Sequence, residues 1–215
     1  MAEQLRGLKI LLLVLFILAG CVPVAPAIEV QALDIYATPA AQPWLAEAYA
    51  CAPEGIALRV ANSPDQAEMT IRLGESDDLP PALAYQIGKE EILVVAHPAS
   101  PLRDLTIEEA RALFARAGAS SVEVWVYDAE EDVQAVFEQA VMEERPITSL
   151  ARLAVGPQHM SEVLTNNPHA VGLLPRRWVT VDLHTLFIVP DVPVLALLRD
   201  EPHGALRVLL ACLQS

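Results

Sequence analysis

Short β-branched runs alternate with helical patterns along most of the chain, and that alternation limits the fold more than any other feature. The runs are LDIYA at 33–37, IALRV at 56–60, MTIRL at 69–73, ILVVA at 92–96, VEVWVY at 122–127, AVGLL at 170–174, HTLFIV at 184–189 and PVLALL at 193–198. Pro, Gly, Asp or Asn punctuate them, as at strand ends. Between them lie helical spacings. Trp44, Leu45, Ala48 and Tyr49 follow Pro43, and Leu206, Leu209, Leu210 and Leu213 fall at i, i+3, i+4, i+7. TIEE places Thr106 at a helix N-cap with Glu109 three residues on, a capping box. The pattern predicts an α/β chain. At 215 residues it holds one ordinary domain or two small lobes around a cleft.

The first residues carry a different pattern. Arg6 and Lys9 precede ILLLVLFIL, which is too short to span a bilayer of about 30 Å and reads as the apolar part of a signal peptide. It ends in LAGC, which looks like a bacterial lipobox, with small residues leading to Cys21. The expectation is a signal peptide over 1–20, cleavage after Gly20, and lipid on Cys21 holding the chain to the membrane on its extracytoplasmic side. One acyl chain binds only marginally, whereas two or more anchor firmly. The competing reading is a plain membrane anchor with an incidental Cys. Residues 21–32 then form a proline-containing tether, and the folded part starts near Leu33.

Charge narrows the partners. The formal net charge is −14, with two lysines, Lys9 and Lys89. Such a chain repels phosphate backbones and anionic headgroups, so nucleic acid is not an expected partner. With Cys21 taken by lipid, Cys51 and Cys212 are left in a compartment where disulfides persist. A bridge between them is one reading, and two buried free thiols are the other.

Two longer stretches resemble a known family. LRDLTIEEARALFAR, at 102–116, is similar to the Leu-Thr-x-Glu helix ending in Leu/Ile-Phe of phosphate-type substrate-binding proteins of ABC importers. MSEVLTNNPHAVGLLP, at 160–175, looks like that family's later helix and the strand after it. The resemblance covers most of 33–215. It implies a type 2 periplasmic-binding-protein fold, two α/β lobes with ligand in the cleft between them. The first lobe would be 33–97 plus 180–215, the second 98–179, with crossings near His97 and Val179. On this map Cys51 and Cys212 share a lobe.

In that family, oxyanions are gripped by backbone N–H groups and small hydroxyl residues in turns facing the cleft. The matching turns here start at Thr38, Ser63, Gly74 to Ser76, and Asp128. At the last of these the family's Ser-Gly-Thr and upstream Arg are replaced by Asp128, Glu130, Glu131 and Asp132. The following helix is kept, with Val133, Val136, Phe137, Ala140 and Val141 on one face. These carboxylates either cap a solvated helix or face the cleft and meet a cation or a donor-rich solute; both readings argue against ordinary phosphate. Arg177, beside Trp178, is a further candidate ligand contact near the second crossing.

Other chemistry is thin. The five histidines show no metal-ligand spacing, and GESDD, with Ser76, lacks the elbow of a hydrolase. No metal and no cofactor are expected. The reading favoured by the sequence is a monomeric, lipid-anchored receptor that binds a small solute and presents it to an ABC permease. A second reading is a non-transporting lipoprotein that keeps the fold as a structural or protein-interaction module, and an extracytoplasmic hydrolase is a distant third.

Overall fold

The computed structural model describes residues 31–75, 83–115, 122–143, 145–179 and 182–215. Cys21 and Ser76 lie outside them. No helix among the described residues is long and apolar enough to cross a membrane.

Among the described residues, eight strands form one mixed sheet. They are β1 (Gln31–Ala37), β2 (Ile56–Val60), β3 (Met69–Leu73), β4 (Leu83–Ala96), β5 (Glu123–Val126), β6 (Arg152–Leu153), β7 (Ala170–Pro175) and β8 (His184–Leu198). Their order across the sheet is β2-β1-β3-β8-β4-β7-β5-β6. β1 lies parallel to β2 and β3, and β5 lies parallel to β7 and β6. The central strands β8 and β4 run antiparallel to each other and to their outer neighbours. All the runs expected from sequence are strands. HTLFIV and PVLALL are joined into one, and ILVVA is the second half of a strand that begins at Leu83.

β4 and β8 divide the sheet into two sides. Leu83 to Lys89 of β4 pair with Leu198 to Pro193 of β8, next to β3. Ile92 to Ala96 pair with β7, and with Val189 to His184 of β8. The chain therefore passes from one side of the sheet to the other within the strands, around Lys89–Glu91 and Pro190–Val192. The register shifts between Glu90 and Ile92. Opposite it Asp191 is left-handed, φ 58°, a conformation that Asp tolerates better than most residues, and its carboxylate accepts from Lys89 Nζ at 2.7 Å. A prolyl-rich stretch breaks a regular ladder because proline donates no hydrogen bond, which is why sequence reading splits β8 in two.

Helices cover the sheet: α1 (Leu45–Ala50), α2 (Ile107–Ala115), α3 (Asp132–Phe137), α4 (Pro157–Asn166) and α5 (Gly204–Leu213). The capping box at α2 is formed: Thr106 N donates to Glu109 Oε2 at 2.8 Å, and Glu109 N to Thr106 Oγ1 at 3.3 Å. Phe114 is fully buried against Phe137, with ring centroids 4.6 Å apart. α3 passes into a π turn over Glu138–Met142, and the extra residue rotates the face. Val133, Val136, Phe137 and Val141 are buried as expected, but Ala140 is exposed and Met142 takes its place. Buried Arg111 of α2 fastens this turn, donating to the Val141 carbonyl and pairing with Glu108 and Glu143.

Cys51, at the C-cap of α1, is bonded to Cys212 in α5, with Cα atoms 5.6 Å apart and a sequence separation of 161. The reading of two free thiols is thereby set aside. The bridge fastens the last helix to the first after the chain has visited the other side of the sheet and returned.

Candidate functional site

β1 leaves the sheet after Ala37, whose partner on β3 is Ile71. Thr38 N still reaches the Ile71 carbonyl at 3.0 Å. Two residues further along β3, no β1 residue remains to accept from Leu73 N–H, and a buried amide needs an acceptor. It finds Asp132. Oδ2 accepts from Leu73 N at 2.9 Å and from the Thr38 hydroxyl at 2.6 Å, while Oδ1 accepts from Val133 N at 2.9 Å. The carboxylate therefore belongs to α3 but is held by the ends of β1 and β3.

Packing fixes α3 in that position. Gly74 is left-handed, φ 70°, and a Cβ there would collide with Val136 Cγ2. Only glycine lets the chain turn this way while α3 approaches so closely. Asp132 is four residues before Val136, so it shares that face of the helix, and it is 2 % exposed.

The four acids of this loop do different work. Asp128 is exposed and closes a turn, accepting from Glu130 N at 3.1 Å through its side chain and from Glu131 N at 3.0 Å through its carbonyl. Glu130 is exposed. Glu131 is half-buried at the N-cap of α3, where its carbonyl, not its carboxylate, takes the first helical bond. Asp132 alone points inward to the donors. The sequence points to Asp128, Glu130 and Glu131 as candidate contacts and shows Asp132 only as part of the acidic loop; the i, i+4 relation to Val136 is the sequence signal that singles it out.

Burial dominates the electrostatics. It raises the Asp132 carboxyl above the ordinary aspartate range, and the N–H of Leu73, the Thr38 hydroxyl, Arg72 and the N–H of Val133 offset this only in part. Glu131 is raised by burial and then by Asp132 and Asp128. Tyr36 and Tyr127 are raised by burial and by Glu131 and Asp132. Tyr127 is buried, its hydroxyl donating to the Leu173 carbonyl at 2.7 Å. Arg72, only 8 % exposed, is lowered by burial and held up by Asp132. Its Nε has no hydrogen-bond partner.

A second contact lies at the far end of the same segment, residues 38–44. Arg177, in the turn after β7, puts its guanidinium carbon 4.1 Å from the Trp44 ring centroid. It pairs with Glu47 at 2.5 Å and lies 3.4 Å from Glu90. Glu90, 6 % exposed, also accepts from Trp44 Nε1 at 3.2 Å. Trp178 Nε1 donates to the Ala40 carbonyl at 3.0 Å, and Arg176 pairs with Glu91. Gly88 is required where Trp44 crosses β4, because a Cβ would meet the indole.

Thr38, Gly74 and the Asp128–Asp132 loop are thus brought to one place, and Arg177 to the neighbouring one. Ser63 is not. It precedes β3, whereas Thr38 and Gly74 follow the far ends of β1 and β3. A cavity of about 310 Å³ bounded by Gln66, Leu198, Arg199, Glu201 and His203 lies at the Ser63 end of β3, away from the Asp132 contact. Among the described residues no group of three or more His, Cys, Asp or Glu is placed to hold a metal ion.

The fold resembles those of solved binding proteins and regulatory domains. A chain described as a phosphate ABC transporter substrate-binding protein, with bound phosphate, from Clostridium perfringens superposes with a TM-score of 0.73 at 13 % identity, covering 86 % of this chain and 93 % of that one. The fold is that of a type 2 periplasmic-binding protein. An ABC-type phosphate transport receptor from Vibrio cholerae matches with a TM-score of 0.60 at 13 % identity over 85 % of this chain and 93 % of its own. The regulatory domain of CcmR from Synechocystis PCC6803, in complex with 2-PG, matches with 0.64 at 13 % identity over 86 % and 96 %. The first two are described as transport binding proteins and the third as a regulatory domain. No protein-family model and no curated protein matches the chain.

Proposed function

We propose that the chain is an extracytoplasmic solute-binding receptor, anchored through lipid on Cys21 and working with an ABC permease, that takes a small ligand between two lobes but does not take ordinary phosphate. One observation carries the reading: the donors at the ends of β1 and β3 already hold a carboxylate of the chain itself. An incoming phosphate would have to displace Asp132 or lie beside it, and Asp128, Glu130 and Glu131 surround the approach with like charge. At contact distance each such pair costs about 1 kcal/mol in water and more where water is excluded.

On this reading the lobes meet at the bulged middle of β4 and β8, and closure is a hinge motion there. The remaining solute classes are cations and neutral molecules rich in donors, in keeping with the acidic chain. The residues we would place at the ligand are Thr38, Gly74, Glu131 and Arg177, with Asp128 and Glu130 at the rim. A thermal-shift screen of cationic, neutral and anionic solutes on the chain from Gln31 onward tests it. A native-state ligand at 100 times its Kd adds about 2.7 kcal/mol of stability, so a true solute raises Tm clearly, and a screen in which no class does so counts against a receptor.

The second reading, a non-transporting lipoprotein that keeps the fold, is favoured by a separate observation. Asp132 and Arg177 grip residues 38–44 from the other side of the sheet at both ends, so the protein's own side chains hold the segment. A screen without hits, in a chain that is folded and stable, selects this reading.

A further inference from the structure

We infer that Asp132 is a built-in occupant of an otherwise complete seat for a small oxyanion, of carboxylate or phosphate size, and that this one side chain, not the fold, keeps such anions out. The inference deepens the receptor reading by naming the residue that sets its specificity, but it does not depend on transport.

Two donors on the strand side make the seat, and a buried guanidinium adds its charge. The Thr38 hydroxyl and Leu73 N–H converge on one oxygen, Oδ2, at 2.6 and 2.9 Å. Behind them stands Arg72, more than nine-tenths buried, with an Nε that finds no partner. A buried guanidinium with an unused donor is costly, and the negative charge of Asp132 offsets part of that cost. These groups belong to β3 and to the turn after β1, and they would keep their geometry if Asp132 were shortened. The N–H of Val133 differs, because it belongs to α3 and travels with Asp132.

The capping role cannot explain the whole arrangement. A carboxylate serving only its own helix would bond Val133 N and face solvent. Here one oxygen does that while the other is committed to two donors 59 and 94 residues away in the chain. Oxygen from any small oxyanion satisfies the same donors.

The test is a gain of function. Asp132→Ala removes the carboxylate and leaves a hole of about formate size, whereas Asp132→Asn keeps it filled with a neutral group of the same shape. Phosphate and formate are titrated into both variants and the wild type by calorimetry, with chloride at equal ionic strength as reference, and Tm is followed in the same salts. The expected result is saturable binding by the Ala variant with a Tm that rises with oxyanion concentration, none by wild type or the Asn variant, and at least tenfold weaker binding when Thr38→Val is added. Binding of formate but not phosphate also supports the seat and limits it to carboxylates. If Asp132→Ala is unfolded in chloride, folding that returns in phosphate or formate is the predicted outcome, and failure to return in either overturns the inference. It is equally overturned by a folded Ala variant that binds no oxyanion, or by wild type or the Asn variant binding as tightly as the Ala variant. Failure here leaves the solute screen of the receptor reading untouched, and failure of that screen leaves this titration untouched.

Discussion

Residues 38–44 are held at one end by Asp132 and at the other by Arg177, and the two contacts are built differently. Asp132 is 2 % exposed and satisfied by backbone and hydroxyl donors at fixed places. The Arg177 side chain is 37 % exposed and shares its charge among a ring face and two carboxylates, one of them half-exposed. A buried charge whose partners cannot move is strong to break and sharply selective, whereas a part-exposed pair is screened and forgiving. The first contact therefore sets what the site excludes, and the second sets how firmly the segment is held.

Breaking the Asp132 contact should have the largest effect. Asp132→Ala leaves Leu73 N–H and the Thr38 hydroxyl without their acceptor and buried Arg72 without the negative charge that offsets its burial, and removing one partner from such a set costs about 3–5 kcal/mol. Urea unfolding of the Gln31–Ser215 chain in chloride measures it; a loss below about 1 kcal/mol would mean the contact is no stronger than a surface pair.

The disulfide comes next. Its 161-residue separation corresponds to roughly 5 kcal/mol of unfolded-state entropy in the chain model, with measured gains commonly 2–4. Replacing Cys51 and Cys212 with Ser should lower Tm, and because Cys51 caps the helix that carries Glu47, hydrogen exchange should rise around Trp44 and Glu47 before it rises at Leu73. Equal loosening at both places would remove the distinction between the two contacts.

Arg177→Ala should cost only about 1 kcal/mol, from a discounted ion pair and the stacking on Trp44. Salt sharpens the comparison: raising it should weaken wild type toward the Arg177→Ala value while leaving the Asp132→Ala difference nearly unchanged.

How much of this was readable from sequence differs by region for physical reasons. β1, β2, β3 and β7 follow from local patterns because each is a short apolar run with clear stops, and the α2 cap follows from Thr106 and Glu109 alone. The continuity of β8 through Pro190 and Pro193 did not, since the pairing that carries the strand past them comes from β4, a hundred residues earlier. The same holds for β6, whose two exposed residues exist as a strand only through β5. The acidic loop could be recognised as hostile to phosphate, but which acid turns inward depends on where β1 leaves β3, and that is a long-range fact. Ala140 fell on the wrong face because a π turn has no pattern in the residue types around it.

The smallest effect is the pH dependence. Asp132 and Glu131 both have folded values raised above their unfolded ones, so each favours the folded state most at acid pH, and that advantage is lost as pH rises through the raised values. Wild-type stability should therefore gain a little as pH falls from neutral toward the ordinary carboxylate range, before other acids titrate. Asp132→Asn should flatten that slope in a pH series of urea melts. A steeper slope in the variant would reverse the assigned direction.

If Asp132 holds the donors at the ends of β1 and β3, the Leu73 amide reports it in nitrogen-15 correlation spectra of the wild-type chain during a phosphate titration at neutral pH. The Leu73 and Val133 amides should stay in place up to millimolar phosphate, and Asp132→Asn should shift both without any phosphate added. Saturable movement of the Leu73 amide at micromolar phosphate in the wild type would contradict it.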